Sequence, residues 1–463
     1  MKKLLRSEKF RPVILIAALA AVIALNAAAA GLGRVDLSAS RAATLSKEAL
    51  EAVRALNEPV QVYVVESEEN RDVWLDEIVS RMAAANANIT AETVAPDAPQ
   101  METLSALAGQ TLAEGNVVVA SARRAVALTA ADLYDYEYDQ TIYYYYGVVS
   151  YTRADFTAQD ALCRAFRYVT RDDMPVFYAL TGHGESGWDG ALNRVCFDNN
   201  IAFEKLTLAP GEAIPADAAA VMVCGPTAPV GDETCAALLD YLKAGGNVLL
   251  MTNYTTDFTG LDAVVDYYGM ARRKGLVLDN DTKHVYSSDY KYFLKPEMRE
   301  SAVTSALIEG KQTVLMPVSE AIVRSDVRRA GLNAQPILTS SDQGYLKANT
   351  DAISTLDQEI EDETGRFILG MAAREGDTRL VWLASITMFA ETNDSASEGG
   401  NSALLAEILK DMFDFPAAGE PLPAANLLAM PTELPLVPAI VCLAALPVIC
   451  LAVGLFLRRR REA

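Results

Sequence analysis

A histidine and a glutamate two residues apart, His183 and Glu185, are the side chains in this sequence best placed to do chemistry. An imidazole beside a carboxylate can take up a proton, donate one or bind a ligand. The pair follows an apolar run, Val176–Leu180, and precedes a helix predicted at about 187–197. A strand, a glycine turn and a helix begin a parallel α/β unit, and ligands bind beyond the carboxyl ends of such strands. The pair therefore marks where a site would be.

The residues that would make this turn an active site are missing from it. A hydrolase on such a sheet places a serine or cysteine nucleophile on the tight turn, with a histidine as its base. Here the turn carries His183, and Cys224 precedes Gly225-Pro226, where proline removes a backbone donor that an oxyanion hole needs. We predict no catalytic residue. The candidates for ligand or interface contact are Thr181, Gly182, His183, Gly184, Glu185, Gly225 and Pro226.

The alternative for His183 is a structural one, in which its ring bonds a neighbouring carbonyl or Glu185. With two histidines in the chain and no CxxC motif, we predict no metal site. No GxxxxGK[ST] motif is present, so ATP is not bound by that route and we expect no cofactor. A disulfide among Cys163, Cys196, Cys224 and Cys235 stays open, with Cys224 and Cys235 the nearest pair.

Two apolar segments predict membrane spans at 12–33 and 434–457. No charged residue lies between Arg11 and Arg34, and both segments are long enough to cross about 30 Å of hydrocarbon as helices. Basic residues precede the first segment and follow the second, which places both ends in the cytoplasm. A cleaved signal peptide is the alternative for the first segment, since small residues follow its apolar core.

The region between the spans is strongly acidic. The net charge of the whole chain is −21, and the first eleven residues contribute +4 and the last six +3. The region between them therefore carries a net charge of −28. Such a surface repels phosphate backbones, so we expect no nucleic-acid partner.

Strands alternating with helices predict an α/β fold whose larger domain has a parallel sheet with helices on both faces. The predicted organisation is a basic N-terminus (1–11), a first span (12–33), a smaller N-terminal α/β domain (34–133), a tyrosine-rich connection (134–155), a larger extracytoplasmic domain (156–415) with an insertion at about 280–375, a proline-rich tether (416–433), a second span (434–457) and a basic tail (458–463).

Eight tyrosines fall between Tyr134 and Tyr151. Such rings could stack on sugars, since they offer flat apolar faces with hydroxyl groups. The alternative is an exposed hairpin, because acidic residues alternate with the tyrosines as on a strand with two different faces.

Several short motifs of this chain resemble those of a known family. The order and spacing of Tyr168-Val169-Thr170, the 181–185 motif, Gly225-Pro226 and Gly245-Gly246 match the GldG-like auxiliary components of ABC-2-type transport systems. Gly399-Gly400-Asn401, which opens a terminal helix, fits the same family. The resemblance covers roughly residues 12 to 457. Where family members often carry an Asp-Phe-like pair, this chain has Ile386-Thr387-Met388-Phe389.

The resemblance implies a flavodoxin/GATase-like three-layer domain in a two-pass protein of the cell membrane. It also implies a non-catalytic subunit that works with an ABC-2 permease and a separate ATP-binding subunit, and whose outer domain contacts the permease or the cargo. The alternative function is an extracytoplasmic module that binds a ligand such as a glycan.

Overall fold

The computed structural model describes residues 41–138, 144–145, 148, 150–186, 190–350, 353–415 and 421–428. The two predicted membrane spans and both basic ends lie outside these residues. Among the residues described, no helix is both long and apolar enough to cross a bilayer.

The described helices are α1 (Lys47–Arg54), α2 (Val73–Ala85), α3 (Gln100–Ala108), α4 (Ala130–Leu133), α5 (Ala158–Thr170), α6 (Ala191–Asp198), α7 (Asp232–Lys243), α8 (Leu261–Tyr267), α9 (Ser305–Glu309), α10 (Glu391–Ala396) and α11 (Gly400–Met412). The strands are β1 (Val60–Val65), β2 (Ile89–Val94), β3 (Val117–Ala120), β4 (Ala125–Leu128), β5 (Tyr134–Tyr138), β6 (Tyr151–Phe156), β7 (Val176–Leu180), β8 (Ala202–Leu206), β9 (Ala218–Cys224), β10 (Asn247–Met251), β11 (Met270–Arg273), β12 (Leu276–Asp279), β13 (Phe293–Leu294), β14 (Glu297–Met298), β15 (Met316–Pro317), β16 (Ala321–Arg324), β17 (Asn333–Thr339), β18 (Gly344–Lys347), β19 (Glu363–Thr364), β20 (Ile368–Glu375), β21 (Thr378–Leu383) and β22 (Ala425–Asn426).

The chain divides into two units. Among the described residues, the first unit comprises those within 41–104, 112–166 and 421–428, and the second comprises those within 105–111 and 167–415. Both ends of the described chain therefore belong to the first unit.

The first unit contains two sheets. One has the order β2-β1-β3-β4, with β1 and β2 parallel, and the other has the order β22-β6-β5. Helix α2 is capped at its N-terminus by Asp72, whose carboxylate accepts hydrogen bonds from the backbone N–H groups of Trp74 and Leu75. The tyrosine-rich segment supplies β5 and β6, which pair antiparallel as a hairpin.

The second unit is built on a ten-stranded sheet, and the α/β class predicted from the sequence is confirmed there. Its main path is β11-β16-β20-β21-β10-β9-β7-β8, with β14 and β17 joined at β20. Strands β21, β10, β9, β7 and β8 are parallel neighbours. Every residue of β10 is buried, as expected for a parallel strand covered on both faces.

Alternate residues of these strands enter two separate cores. Phe177 and Met222 pack in one core with helices α6 and α11, whereas Tyr178 and Val221 pack in the other with helices α7 and α8. Helices therefore cover both faces of the sheet. Cys163, Cys196, Cys224 and Cys235 are buried thiols rather than disulfides.

The region at about 280–375 is more closely integrated than the insertion that the sequence suggested. It supplies β16, β17 and β20 to the large sheet, while β18 and β19 form a separate sheet with β12. Polar stretches such as residues 353–362 lie between these strands, and Pro336 lies within β17, so the sequence suggests a peripheral region although Ile337 and Leu338 are buried.

Candidate functional site

The carboxyl ends of four parallel strands meet at one edge of the large sheet. Cys224, the last residue of β9, lies opposite Met251 at the end of β10, and Met251 in turn lies opposite Leu383 at the end of β21. Strand β7 ends beside β9, and the turn that follows it contains His183. The geometry therefore places this turn where ligands bind in sheets of this type.

His183 and Glu185 form a dyad. The His183 ring Nδ1 lies 2.8 Å from Glu185 Oε1, and the His183 backbone N–H donates to Glu185 Oε2 at 2.7 Å. The Glu185 side chain is fully buried, whereas that of His183 is 20% exposed. A carboxylate beside Nδ1 favours a proton on that nitrogen, which in the neutral ring makes Nε2 the acceptor. Among the described residues, Nε2 has no hydrogen-bond partner.

The structure brings the 181–185 turn against the turn that contains Gly225 and Pro226. The carbonyl of His183 accepts hydrogen bonds from the backbone N–H groups of Thr227 (2.9 Å) and Ala228 (3.0 Å). The Ser186 N–H donates to the carbonyl of Cys224. Five backbone groups thus hold the two turns together, which leaves the His183 ring as the part that can meet a ligand.

Two glycines are needed for this contact. Gly182 and Gly184 have φ values of +117° and +77°, which side chains rarely tolerate. A Cβ atom on Gly184 would lie 2.1 Å from Thr227 Oγ1. Gly225 (φ +54°) is equally confined, because its Cβ would lie 2.9 Å from Ile386 Cγ2.

The remaining candidates have structural partners. Thr181 Oγ1 lies 3.1 Å from the Leu206 carbonyl and 2.7 Å from Thr207 Oγ1, so it ties the end of β7 to that of β8. Pro226 offers no N–H, and the Gly225 N–H already donates to Met251. Neither residue can therefore supply an oxyanion donor in this conformation.

Among the residues described, no serine or cysteine side chain is hydrogen-bonded to the His183 ring. Cys224 is fully buried and its sulfur lies 3.7 Å from the Ile386 carbonyl. The second histidine, His284, contacts the Lys295 carbonyl at 3.1 Å and lies near Asp281 and Glu297. No group of three potential ligands able to hold a metal ion is found in the described part of the chain. The dyad can bind a hydrogen-bond donor or exchange a proton.

A second polar cluster, buried beyond β10, has no counterpart among the sequence-based candidates. Arg272 Nε donates to Glu320 Oε2 at 2.6 Å, and Arg272 Nη2 donates to the Asn253 carbonyl at 2.9 Å. Thr252 Oγ1 bonds Glu320 Oε1 and accepts from the indole N–H of Trp382. Burial raises the pKa of Glu320, while Arg272 and Thr252 oppose that shift. The partners are scattered through the sequence, which gives no signal for this cluster.

The sequence matches no protein-family model and no curated protein. Among solved structures, it is similar to the mmIFT52 N-terminal domain, at 14% identity and a TM-score of 0.39, covering 51% of this chain and 96% of that one. It is also similar to PurLQS from Thermotoga maritima (10% identity, TM-score 0.28, 51% and 98% covered) and to a ThuA-like protein from Parabacteroides merdae (11% identity, TM-score 0.28, 50% and 90% covered). Likenesses this distant carry no argument about function.

Gly184→Ala is expected to destabilise the second unit more than Gly211→Ala does. Both glycines have a left-handed φ, near +77° and +79°, so each substitution costs about 1–2 kcal/mol in backbone strain. Only Gly184 adds a steric overlap, since nothing lies within 4 Å of a Cβ on Gly211. Urea unfolding followed by tryptophan fluorescence measures the difference. Adding Thr227→Ala to Gly184→Ala should remove the excess, and an excess that persists would show that Thr227 is not its source.

Glu185→Ala is expected to cost more stability than His183→Ala. Loss of the carboxylate leaves the His183 N–H without its partner and costs about 1–3 kcal/mol, whereas loss of the ring removes one hydrogen bond, about 0.5–1.5 kcal/mol. Thermal unfolding of the two variants measures the order. The reverse order would contradict the structural role of Glu185.

Proposed function

We propose that this chain is a non-catalytic subunit of an ABC-2-type transporter, anchored in the membrane at both ends. Its working partners would be a permease subunit and a separate ATP-binding subunit. The proposal draws on the GldG-like motifs in the sequence. It is supported by the candidate site, where His183 and Glu185 pair with each other and both neighbouring turns are occupied by structural hydrogen bonds.

The observation that carries the proposal is that both ends of the described chain belong to the first unit. Ala425 and Asn426 pair with Phe156 and Asp155 of β6, and the predicted second span begins six residues beyond Leu428. An extended chain of that length reaches at most about 20 Å. Both predicted spans would therefore leave from the same unit.

The larger domain of the proposed subunit has a specific three-layer fold. The parallel order β21-β10-β9-β7-β8, with helices on both faces, supports a flavodoxin/GATase-like three-layer domain. Sheets of this class serve both enzymes and binding modules, so the fold leaves the activity open. The site then favours binding, because a base and its orienting carboxylate are present and no serine or cysteine among the described residues is hydrogen-bonded to the His183 ring.

Labelling of single cysteines in intact cells tests the anchored topology. We expect Lys3→Cys and Glu462→Cys to resist a membrane-impermeant maleimide until the cells are opened. Val73→Cys is the matched control, because Val73 is 71% exposed in the first unit and should react from outside. The four native cysteines in the described region are buried and should add little background. Labelling of position 3 or 462 from outside, or a mature N-terminus near Gly31, would contradict the topology.

A second candidate function is glycan binding outside the cell. The observation that favours it is the exposure of Tyr144, Tyr145 and Tyr151, whose rings could stack on sugars. Retention of the full chain on immobilised cell-wall glycan, with retention lost in Tyr145→Ser, would support this function. Passage of the unsubstituted chain through the same matrix would exclude it for that glycan.

A further inference from the structure

Exposed tyrosines lie at one end of the β5–β6 hairpin and in the stretch of chain that leaves from this end. At the opposite end, Tyr134 and Phe156 pair with each other and are buried. Tyr138 and Tyr151 pair further along the hairpin, with ring centroids 5.9 Å apart, and Tyr151 is 62% exposed. In the stretch of chain that connects these two strands, the side chains of Tyr144 and Tyr145 are 82% and 72% exposed. The hairpin therefore changes from a buried base to an exposed aromatic end, which we call the tyrosine end.

The chain that leads to the predicted second span runs towards this tyrosine end. Strand β22 is antiparallel to β6, with Ala425 opposite Phe156 and Asn426 opposite Asp155. The next N–H, that of Leu427, donates to the Ala154 carbonyl at 2.8 Å. Each step of β22 thus moves away from the buried base.

Distances along the chain place the tyrosine end near the predicted membrane entry. Tyr151 lies three residues beyond Ala154, about 10 Å along a strand. The predicted span begins at Leu434, six residues beyond Leu428, a reach of at most about 20 Å. The rings and the start of the span can therefore occupy the same depth.

The chemistry of this end suits the boundary between lipid and water. Tyrosine is enriched there, because its ring is apolar and its hydroxyl stays hydrated. The nearby cation, Arg153, pairs with Asp72 at 2.8 Å and stacks on Tyr134, so its charge is neutralised within the unit. Asp135 and Glu137 are exposed on β5, which favours a neutral lipid surface over an anionic one.

We propose that the tyrosine end, formed by Tyr138, Tyr144, Tyr145 and Tyr151, rests in the headgroup region of the membrane. This inference rests on the membrane anchor of the proposed function. It adds a third contact to the two spans and sets the orientation of the first unit on the bilayer.

Quenching by brominated lipid tests the contact. Full-length Tyr145→Trp would be placed in phosphatidylcholine vesicles with and without bromine on the acyl chains. The matched control is Val73→Trp, which is exposed in the same unit next to Asp72, a residue that contacts Tyr134 at the hairpin base. The unsubstituted protein gives the background of the three native tryptophans. Both leaflets carry bromine, so the orientation of the protein in the vesicle does not matter.

We expect the emission of Trp at position 145 to fall about twofold in brominated vesicles, as for an interfacial aromatic ring, and that of position 73 to stay unchanged. Equal emission of Tyr145→Trp in both vesicles overturns the proposal. If the protein also remains in the vesicles after alkaline carbonate extraction, the anchor stands and only the hairpin contact fails. Release of the protein by carbonate contradicts both. A spectral change caused by soluble cell-wall glycan, without bromine quenching, would instead identify a glycan as the occupant and overturn the lipid contact.

Discussion

Arg272→Ala is expected to lower the free energy of unfolding of the second unit by about 3–5 kcal/mol, because it leaves a buried carboxylate without its cation. The Glu320 side chain is fully buried and that of Arg272 is 12% exposed. The same substitution removes the hydrogen bond from Arg272 to the Asn253 carbonyl and the stacking of the guanidinium over the Phe258 ring. The loss therefore falls on the packing beyond β10 as well as on the ion pair.

The pH dependence of this loss has a definite sign. Burial raises the pKa of Glu320 in the folded protein, and removing Arg272 takes away a group that lowers it. Between the unfolded and folded pKa values, the folded state binds the proton more tightly, so stability falls as the pH rises. The variant should therefore lose more stability at about pH 8 than at about pH 5, where protonation relieves the buried charge.

Urea unfolding followed by the fluorescence of Trp382 measures both effects, because the indole bonds Thr252 inside the cluster. Arg273→Ala is the matched control on the same strand. Its ion pair with Glu363 is exposed, so its loss should be below about 1 kcal/mol. Adding Glu320→Leu to Arg272→Met should recover much of the stability, since both charges are then gone. Equal effects of the two arginines would contradict the assignment of a buried pair.

Asn401→Ala is expected to cost about 3 kcal/mol or more, because three buried backbone groups lose their partner at once. The Asn401 amide donates to the carbonyls of Leu315 (2.9 Å) and Met388 (2.6 Å) and accepts from the Leu315 N–H (2.8 Å). The residue is fully buried. It therefore holds the start of α11 to two earlier segments of the chain.

The same unfolding experiment measures this loss. Asn393→Ala is the control, because its side chain makes one exposed hydrogen bond, to Thr387, worth about 0.5–1.5 kcal/mol. Asn401→Asp separates the contributions, since aspartate keeps an acceptor for Leu315 and loses both donors. A cost for Asn401→Ala no greater than that for Asn393→Ala would show that other groups or water satisfy the three backbone partners.

The central strands could be predicted closely from the sequence. Val176–Leu180 and Asn247–Met251 have the same bounds in the structure, because short apolar runs ended by glycine or proline leave few alternatives. The contact between His183 and Glu185 could also be predicted from the sequence, because two residues in one glycine turn have few other partners. It matches the structural alternative for His183.

Contacts between distant residues could not be predicted. Arg272 and Glu320 are 48 residues apart, and neither stands out among the many charges of the chain. The same holds for Ala425 and Asn426, which lie in a proline-rich stretch that reads as a tether yet pair with β6. A strand of two residues is too short to show the alternating pattern of a strand in its sequence. Its pairing with β6 is therefore visible only in the structure.

Purification of the full-length chain from its native membranes in mild detergent, followed by identification of the proteins that elute with it, tests the proposed function most directly. We expect a permease subunit and an ATP-binding subunit to elute with the chain in a constant ratio. His183→Ala should recover the same partners, because the ring makes no contact that the fold requires beyond Glu185. A chain that elutes alone, in a detergent that keeps other membrane complexes intact, would contradict the proposal.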